Sequence, residues 1–378
     1  MDLKLHVGFM EPIKMWLNLI NLDMKRIDII EGLKEVYRTY KPYIAGIAFT
    51  GYCPNRCCHC IYPPEFSRYN QDISFKHWKR ILKDIYDGLR VRIFIHNGRS
   101  LDKKGIESLR YIKTSLPKTK VGIIDNGISI IPFIDKLASM ELDWIDISLD
   151  GMELDHDFQR RKKGAFKRAL ETLLELKEKE VAPKVNVLTC LTTINKGSIT
   201  GLISFLNEKG FNNFFVSPVS VVQGYRPSET LKVSSEDFRL FIEELLKIME
   251  TLEDVEVHVD LFEAEYMHFV KGLNKSIWTA FQCEYDHLVW KEQIKQNELF
   301  INYFPLSLNG IRELIVNCDG NVLVPKSMAK GRIPEDEISG CLLSKSSSKI
   351  VKELPNSQSF AFYINELFME KALLGKGR

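Results

Sequence analysis

The sequence predicts an α/β protein organised on a parallel β-sheet, and three observations carry that expectation. First, from residue 44 onward short apolar runs of strand character alternate with longer helical stretches, the pattern of successive β/α units. Second, the first of these runs, Ile44-Ala-Gly-Ile-Ala-Phe, leads into a loop holding four of the chain's eight cysteines. Third, 378 residues with a hydrophobic fraction of 45% provide for a barrel-sized core and an added module. Six units are counted, too few for a closed eight-stranded barrel.

Residues 1–43 are helix-prone and mixed in charge, with apolar positions at Ile27, Ile30, Leu33 and Tyr37. They read as an amphipathic lead-in that packs on the sheet, with substrate recognition as the other reading. Strands are expected at 44–49, 91–96, 120–125, 143–149, 184–193 and 212–217, and helices at 74–89, 103–116, 129–140, 165–179, 198–209 and 235–251. Ser74 and Ser234 stand as N-caps, the second with Asp237 three residues on as a capping box. The regular alternation is expected to stop at about residue 225, where Gly224-Tyr-Arg-Pro-Ser marks a turn-rich exit. Residues 226–378 then form a smaller α+β C-terminal module. It contains a hairpin over 311–325 turning at Asp319-Gly320, a polar linker at Ser344–Lys349 and a final helix over 358–374.

The formal net charge of +2 offers no long-range field for nucleic acid or an anionic membrane. The apolar runs are too short to span a bilayer, and the N-terminus has no basic stretch followed by an apolar core. Cysteines clustered at metal-like spacing suit a reducing compartment, so a cytoplasmic protein is expected, without nucleic-acid or membrane partners.

The chemistry centres on Cys53, Cys57 and Cys60, spaced C-x3-C-x2-C at the carboxyl end of the first strand. Three thiolates on one tight loop hold three irons of a cubane cluster and leave the fourth iron open. Cys58 and His59 leave a zinc site of mixed ligands as an alternative, although no second ligand pair stands out. The spacing resembles the signature of radical S-adenosylmethionine enzymes. That resemblance implies one [4Fe–4S] cluster and S-adenosylmethionine as cofactors, with the methionine moiety chelating the open iron. It also implies a reducing partner such as flavodoxin or ferredoxin, and a partial (β/α)6 TIM-like barrel over residues 44–225. The family usually places an aromatic residue before the last cysteine, against the adenine; His59 offers a flat ring there.

A second constellation follows: Trp144-Ile-Asp-Ile-Ser-Leu-Asp-Gly151, then His156-Asp157, Arg160, Gly164 and Phe166. It is similar to the family branch that matures sulfatases and modifies peptides, whose members carry a C-terminal SPASM or twitch module. The resemblance implies that Ser148 and Arg160 contact S-adenosylmethionine. A methionine carboxylate suits a guanidinium fork, and Asp150 at the same strand end is placed to accept from a ribose hydroxyl. Apart from the resemblance, Ser148 and Asp150 would cap a turn, and Arg160 would belong to a solvated Arg-Arg-Lys-Lys face. Where the family has Gly-Gly-Glu-Pro, this chain has Asn97, Gly98 and Arg99; backbone carbonyls there suit the methionine amino group with any side chain. Thr192, Asn195 and Phe214–Ser217 are expected at the barrel mouth, with Val216 as an adenine neighbour or an ordinary core residue. Cys190 is a candidate hydrogen donor if its strand turns it to the lumen, and the alternation leaves both faces open.

The expected function is hydrogen abstraction from a peptide or protein by a 5′-deoxyadenosyl radical. The alternative keeps the chemistry and takes a small molecule such as an aminosugar or nucleoside. A third reading is a non-catalytic metal-binding protein. The C-terminal module resembles a degenerate twitch or SPASM type. Its remaining cysteines, Cys283, Cys318 and Cys341, are expected to hold no second cluster.

Overall fold

The computed structural model describes residues 42–60, 73–97, 99–220, 229–262, 266, 282–284, 287–303, 313–323 and 338–352. The helical lead-in up to residue 41, Gly98, the turn at 224–228 and the final helix expected at 358–374 lie outside them.

The chain opens with β1 (Ile44–Ile47), α1 (Phe75–Gly88), β2 (Ile93–His96), α2 (Lys103–Ser115), β3 (Lys120–Asp125) and α3 (Ile134–Ala138). It continues with β4 (Trp144–Ser148), α4 (Glu153–Arg160), α5 (Ala165–Glu178), β5 (Val185–Leu191), α6 (Ile199–Asn207) and β6 (Asn213–Pro218). Strands β1 to β6 lie side by side in chain order, each parallel to the next. All six expected strands are present.

The alternation does not stop at residue 225, which corrects the sequence reading. Ser234, whose hydroxyl accepts from the Asp237 N–H, caps α7 (Ser235–Met249), and β7 (Glu256–Leu261) pairs parallel to β6. There follow β8 (Gln282–Glu284), β9 (His287–Ile294), β10 (Asn297–Tyr303), β11 (Glu313–Val316), β12 (Asn321–Leu323) and β13 (Ile338–Cys341), then α8 (Ser347–Lys352). The expected linker at Ser344–Lys349 thus ends inside a helix. Among the described residues one sheet of thirteen strands results, ordered β13-β12-β11-β1-β2-β3-β4-β5-β6-β7-β10-β9-β8. The C-terminal strands add to both edges of the parallel core: β11 runs parallel to β1, and β10 parallel to β7. Ser74 occupies its N-cap position without capping, because its hydroxyl meets His77 Nδ1 at 3.0 Å instead.

Residue parity decides which side chains face the helices. Ile123, Ile145, Ile147, Val187, Phe214 and Val216 are at most 1% exposed and belong to one core with Trp78, Ile81, Leu82 and Ile85 of α1. Each such burial contributes about 1.5–3 kcal/mol. The opposite parity faces the concave side. There the Trp144 indole lies over Gly122, where any Cβ would come within 2.0 Å of the ring, so the position requires glycine. Trp144 Nε1 donates to Asp146 Oδ2 at 3.1 Å, and Asn186 Nδ2 donates to Asp146 Oδ1 at 2.7 Å. This ladder fills the concave side near the amino ends of β4 and β5, leaving the carboxyl ends for chemistry. Among the described residues no helix is long and apolar enough to cross a membrane.

Burial pushes the Asp146 carboxyl up to about 7, against the two donors that favour its charged form. Folded Asp146 therefore keeps a proton that the unfolded chain releases at about pH 4. Its contribution to stability is complete below that pH and is lost as pH rises to 7, by about 1 kcal/mol per pH unit. Asp146→Asn, which cannot ionise, is expected to flatten the unfolding free energy between pH 5 and 7. Equal pH slopes in the two proteins would contradict this.

Candidate functional site

The thiol loop leaves β1 at its carboxyl end and is tied down on three sides. Ala48 N–H donates to Val316 O of β11 at 2.9 Å. Arg99, 4% exposed, donates from Nη1 to Gly51 O at 2.6 Å, and Ser100 N–H donates to Tyr52 O at 3.2 Å. The last turn of α4 accepts the far side of the loop: Cys58 N–H donates to Gln159 O at 2.9 Å and Arg56 N–H to Arg160 O at 3.4 Å.

Within the loop the four thiols separate into two sets. Burial pushes the Cys57 thiol up to about 12, opposed by Arg160, with Asp150, Cys60 and Cys53 raising it further. Cys53 is also raised, first by burial and then by Cys60, while the Asn55 N–H lowers it. These three thiols are thus near enough to act on one another's charge. Cys58 turns away, and its Sγ donates to Gln159 O at 3.2 Å. Nitrogen donors approach the inward sulfurs: Arg160 Nη1 lies 3.8 Å from Cys57 Sγ, and Asn126 Nδ2 lies 3.9 Å from Cys53 Sγ.

Beneath the loop lies a buried charged group. Arg160 Nε donates to Asp150 Oδ2 at 2.5 Å, and Cys190 N–H donates to Oδ1 at 3.0 Å. Burial alone would raise Asp150, but Arg160, with His59 and His156 beside it, holds its carboxyl down at about 2. His59 Nε2 is 3.8 Å from Asp150 Oδ2, and burial lowers the imidazole to about 4. His156 Nδ1 accepts from the Asp150 N–H at 2.9 Å, so this ring orders the loop rather than carrying charge. Asn195 Nδ2 donates to the carbonyls of both Asp150 and Cys190, closing the strand ends of β4 and β5 together.

Residues 47–206 match the sequence family described as the Radical SAM superfamily. The chain carries a radical SAM domain. Among curated relatives, the sporulation killing factor maturation protein SkfB of Bacillus subtilis is 25% identical over 147 residues, 38% of this chain and 35% of its own. The GTP 3′,8-cyclase of Petrotoga mobilis is 21% identical over 201 residues, 52% of this chain and 62% of its own. The matched stretches thus span less than two thirds of these relatives. The fold is similar to that of Streptococcus suis SuiB bound to precursor peptide SuiA, with TM-score 0.63 and 16% identity over 93% of this chain and 78% of that one. It is also similar to anSMEcpe with bound AdoMet and Cp18Cys peptide, with TM-score 0.57 and 14% identity over 84% and 82%.

The radical SAM domain brings most of the residues singled out from sequence to one end of the sheet, with some changes of role. Cys53, Cys57, His59, Asp150, Arg160 and Cys190 lie near one another at the carboxyl ends of β1, β4 and β5. Arg160 is 8% exposed and leaves the solvated face to Arg161, Lys162 and Lys163. Cys190 lies toward the thiol loop: after burial, the groups that act on it are Asp150, Arg160, Cys58 and Cys57. Ser148 and Asn97 are half-buried at strand ends. Asp150 does not offer a free acceptor for a ribose, since it is 0% exposed with both oxygens engaged by protein donors. Thr192 is likewise spoken for: it is 0% exposed and its hydroxyl donates to Gln159 Oε1 at 2.6 Å. Val216 is a core residue, 0% exposed, and the half-buried positions of its strand are Asn213, Phe215 and Ser217. A one-residue error in parity moves a strand side chain to the other face.

Cys53, Cys57 and Cys60 on one loop fit a cluster held at several irons. Among the described residues no three His, Cys, Asp or Glu side chains close on one ion position. Thiolates on different irons of a cubane stand further apart. The Asn55 amide, His59 Nδ1 and Ser100 Oγ are buried polar atoms without a protein partner in and beside the loop. Gln159, which joins Thr192, Cys190 O and the thiol loop, was missed from sequence because an isolated Gln in a charged helix carries no motif.

Proposed function

We propose that this protein is a radical S-adenosylmethionine enzyme that abstracts hydrogen from a peptide or protein side chain. The observation that carries the reading is the geometry of the thiol loop: Arg160 Nη1 and Asn126 Nδ2 stand at the Cys57 and Cys53 sulfurs, while Cys58 Sγ is bonded to Gln159 O. Cys53, Cys57 and Cys60 would hold one [4Fe–4S] cluster, and Ser148, Arg160, Asn97 and Arg99 lie at the strand ends where S-adenosylmethionine would bind. When bound and reduced, the pair supplies a 5′-deoxyadenosyl radical. Arg160 and Asn126 place N–H donors at the ligand sulfurs, which tunes the potential such sulfurs support. The Asp150–Arg160 pair fixes the guanidinium, leaving its other N–H groups for an anionic partner. The filled concave side at Trp144, Asp146 and Asn186 keeps water from entering from below.

A peptide substrate is supported by the precursor and Cys-containing peptides bound in two proteins of similar fold, and by the resemblance to the peptide-modifying branch. Peptides encoded beside this protein, incubated with reconstituted enzyme and S-adenosylmethionine, are expected to show a mass change matched by 5′-deoxyadenosine. Turnover of aminosugars or nucleosides, with peptides left unchanged, would reverse the choice of substrate.

A single cluster is favoured because the pairing brings two C-terminal cysteines together and not three: Cys341 pairs with Asn321, beside the turn that holds Cys318, while Cys283 lies on β8 at the other end of the strand order. Reconstituted protein should therefore hold about four irons per chain, and the triple Ala variant of Cys53, Cys57 and Cys60 close to none. About four irons retained by that variant would establish a second cluster in the C-terminal part.

A further inference from the structure

The helix that braces the thiol loop also presents an apolar and basic face to solvent. Leu154 is 86% exposed and Phe158, one turn on, is 70% exposed. One such residue is ordinary, but two large apolar side chains at i and i+4 form a ridge of the kind that marks an interaction surface. Arg161, Lys162 and Lys163 follow, all exposed, and Arg56 in the thiol loop is exposed too. Among the described residues none of these four cations has an ion-pair partner. The acids of the same helix are Glu153 and Asp155, on either side of Leu154 in its first turn, and Asp157, whose carboxylate accepts from Gly164 N–H and Phe166 N–H; the cations follow at its other end.

This face is wired directly to the thiols. Phe158 and Arg161 flank Gln159 and Arg160, whose carbonyls accept from Cys58 N–H and Arg56 N–H, and Arg160 Nη1 reaches Cys57 Sγ. Apart from Tyr52, exposed in the loop itself, no other large exposed apolar side chain among the described residues belongs to an element bonded to the thiol loop. We propose that the outer face of α4, with the basic run after it, docks an acidic one-electron carrier protein. The inference rests on the radical reading above and adds where its electron enters. Electron transfer falls steeply with distance, so a carrier must dock beside the loop, and the concave side is reserved for substrate. Exposed Phe and Leu supply desolvated contact, while four unpaired cations steer an acidic partner to it. The carrier is oxidised by one electron. That electron cleaves the C5′–S bond of S-adenosylmethionine, giving methionine and the 5′-deoxyadenosyl radical.

The test compares two reductants on the full reconstituted chain, reading 5′-deoxyadenosine. Dithionite needs no docking surface; flavodoxin, reduced by NADPH and its reductase, does. Lys162→Glu/Lys163→Glu and, separately, Leu154→Ser/Phe158→Ser should lose about tenfold or more of the flavodoxin-driven rate at low salt. Their dithionite-driven rates should stay at the wild-type level, and raising salt should slow the wild type more than the charge variant. An unchanged flavodoxin-driven rate in both variants overturns the proposal, as does an equal loss with dithionite. Weakened binding of an acidic peptide alongside an unchanged flavodoxin-driven rate would assign the face to substrate and overturn it too. Absence of product from wild type with dithionite would instead sink the radical reading, and this inference with it.

Discussion

Anaerobically reconstituted Cys57→Ala protein is expected to hold almost no iron and to lack the brown chromophore, whereas Cys58→Ala keeps both. The contrast is sharp because the two residues are adjacent in sequence and opposite in role. Cys57 is 8% exposed, with Arg160 at its sulfur and Cys53 and Cys60 acting on it. Burial raises its thiol to about 12, so only a strongly bound metal centre would hold it as thiolate. Cys58 donates its S–H to a helix carbonyl, and Ala there removes one weak hydrogen bond. Cys53→Ala and Cys60→Ala should behave like Cys57→Ala. Loss of iron from Cys58→Ala with retention in Cys57→Ala would mean that the loop register is wrong.

Arg160→Ala is expected to destabilise the fold by about 3–5 kcal/mol, because it leaves the Asp150 carboxylate buried without its cation. Asp150 is 0% exposed, and Arg160 is the main group holding it ionised. The double variant Arg160→Ala/Asp150→Ala should recover part of that loss, since no charge is then stranded. In the folded fraction, affinity for S-adenosylmethionine should fall about tenfold or more, as for loss of a charge-assisted contact to a carboxylate. Wild-type stability in the single variant by denaturant titration would contradict the ion-pair account. Wild-type affinity would separate Arg160 from the cofactor and leave it a purely positioning residue.

Much of the fold was legible because the six strands are apolar runs separated by amphipathic helices. Their parallel order follows from short right-handed crossovers. The ligand loop was legible because thiol spacing is a local property. Helix α4 was not, since its buried positions are His156, Gln159 and Arg160, so no apolar stripe marks it. Strand β7 carries a clean alternation, Glu256-Val-His-Val-Asp-Leu, that a reading ending at the sixth strand passed over. The seats of β10 and β11 on opposite edges of the core pair residues far apart in sequence, and no local pattern encodes them. In the site, Asp150 and Thr192 were correctly drawn to the strand ends, but their engagement with Arg160 and Gln159 depends on a helix the pattern did not reveal. Of the two readings of Val216, strand parity selects the core one.

The most direct measurement is the yield of 5′-deoxyadenosine and methionine from S-adenosylmethionine, with the anaerobically reconstituted 378-residue chain and excess dithionite. Both products are expected in equal amounts from wild type and Cys58→Ala, and neither from Cys57→Ala. Iron-loaded wild type that leaves S-adenosylmethionine intact would contradict the account and return the chain to a metal-binding protein without this chemistry.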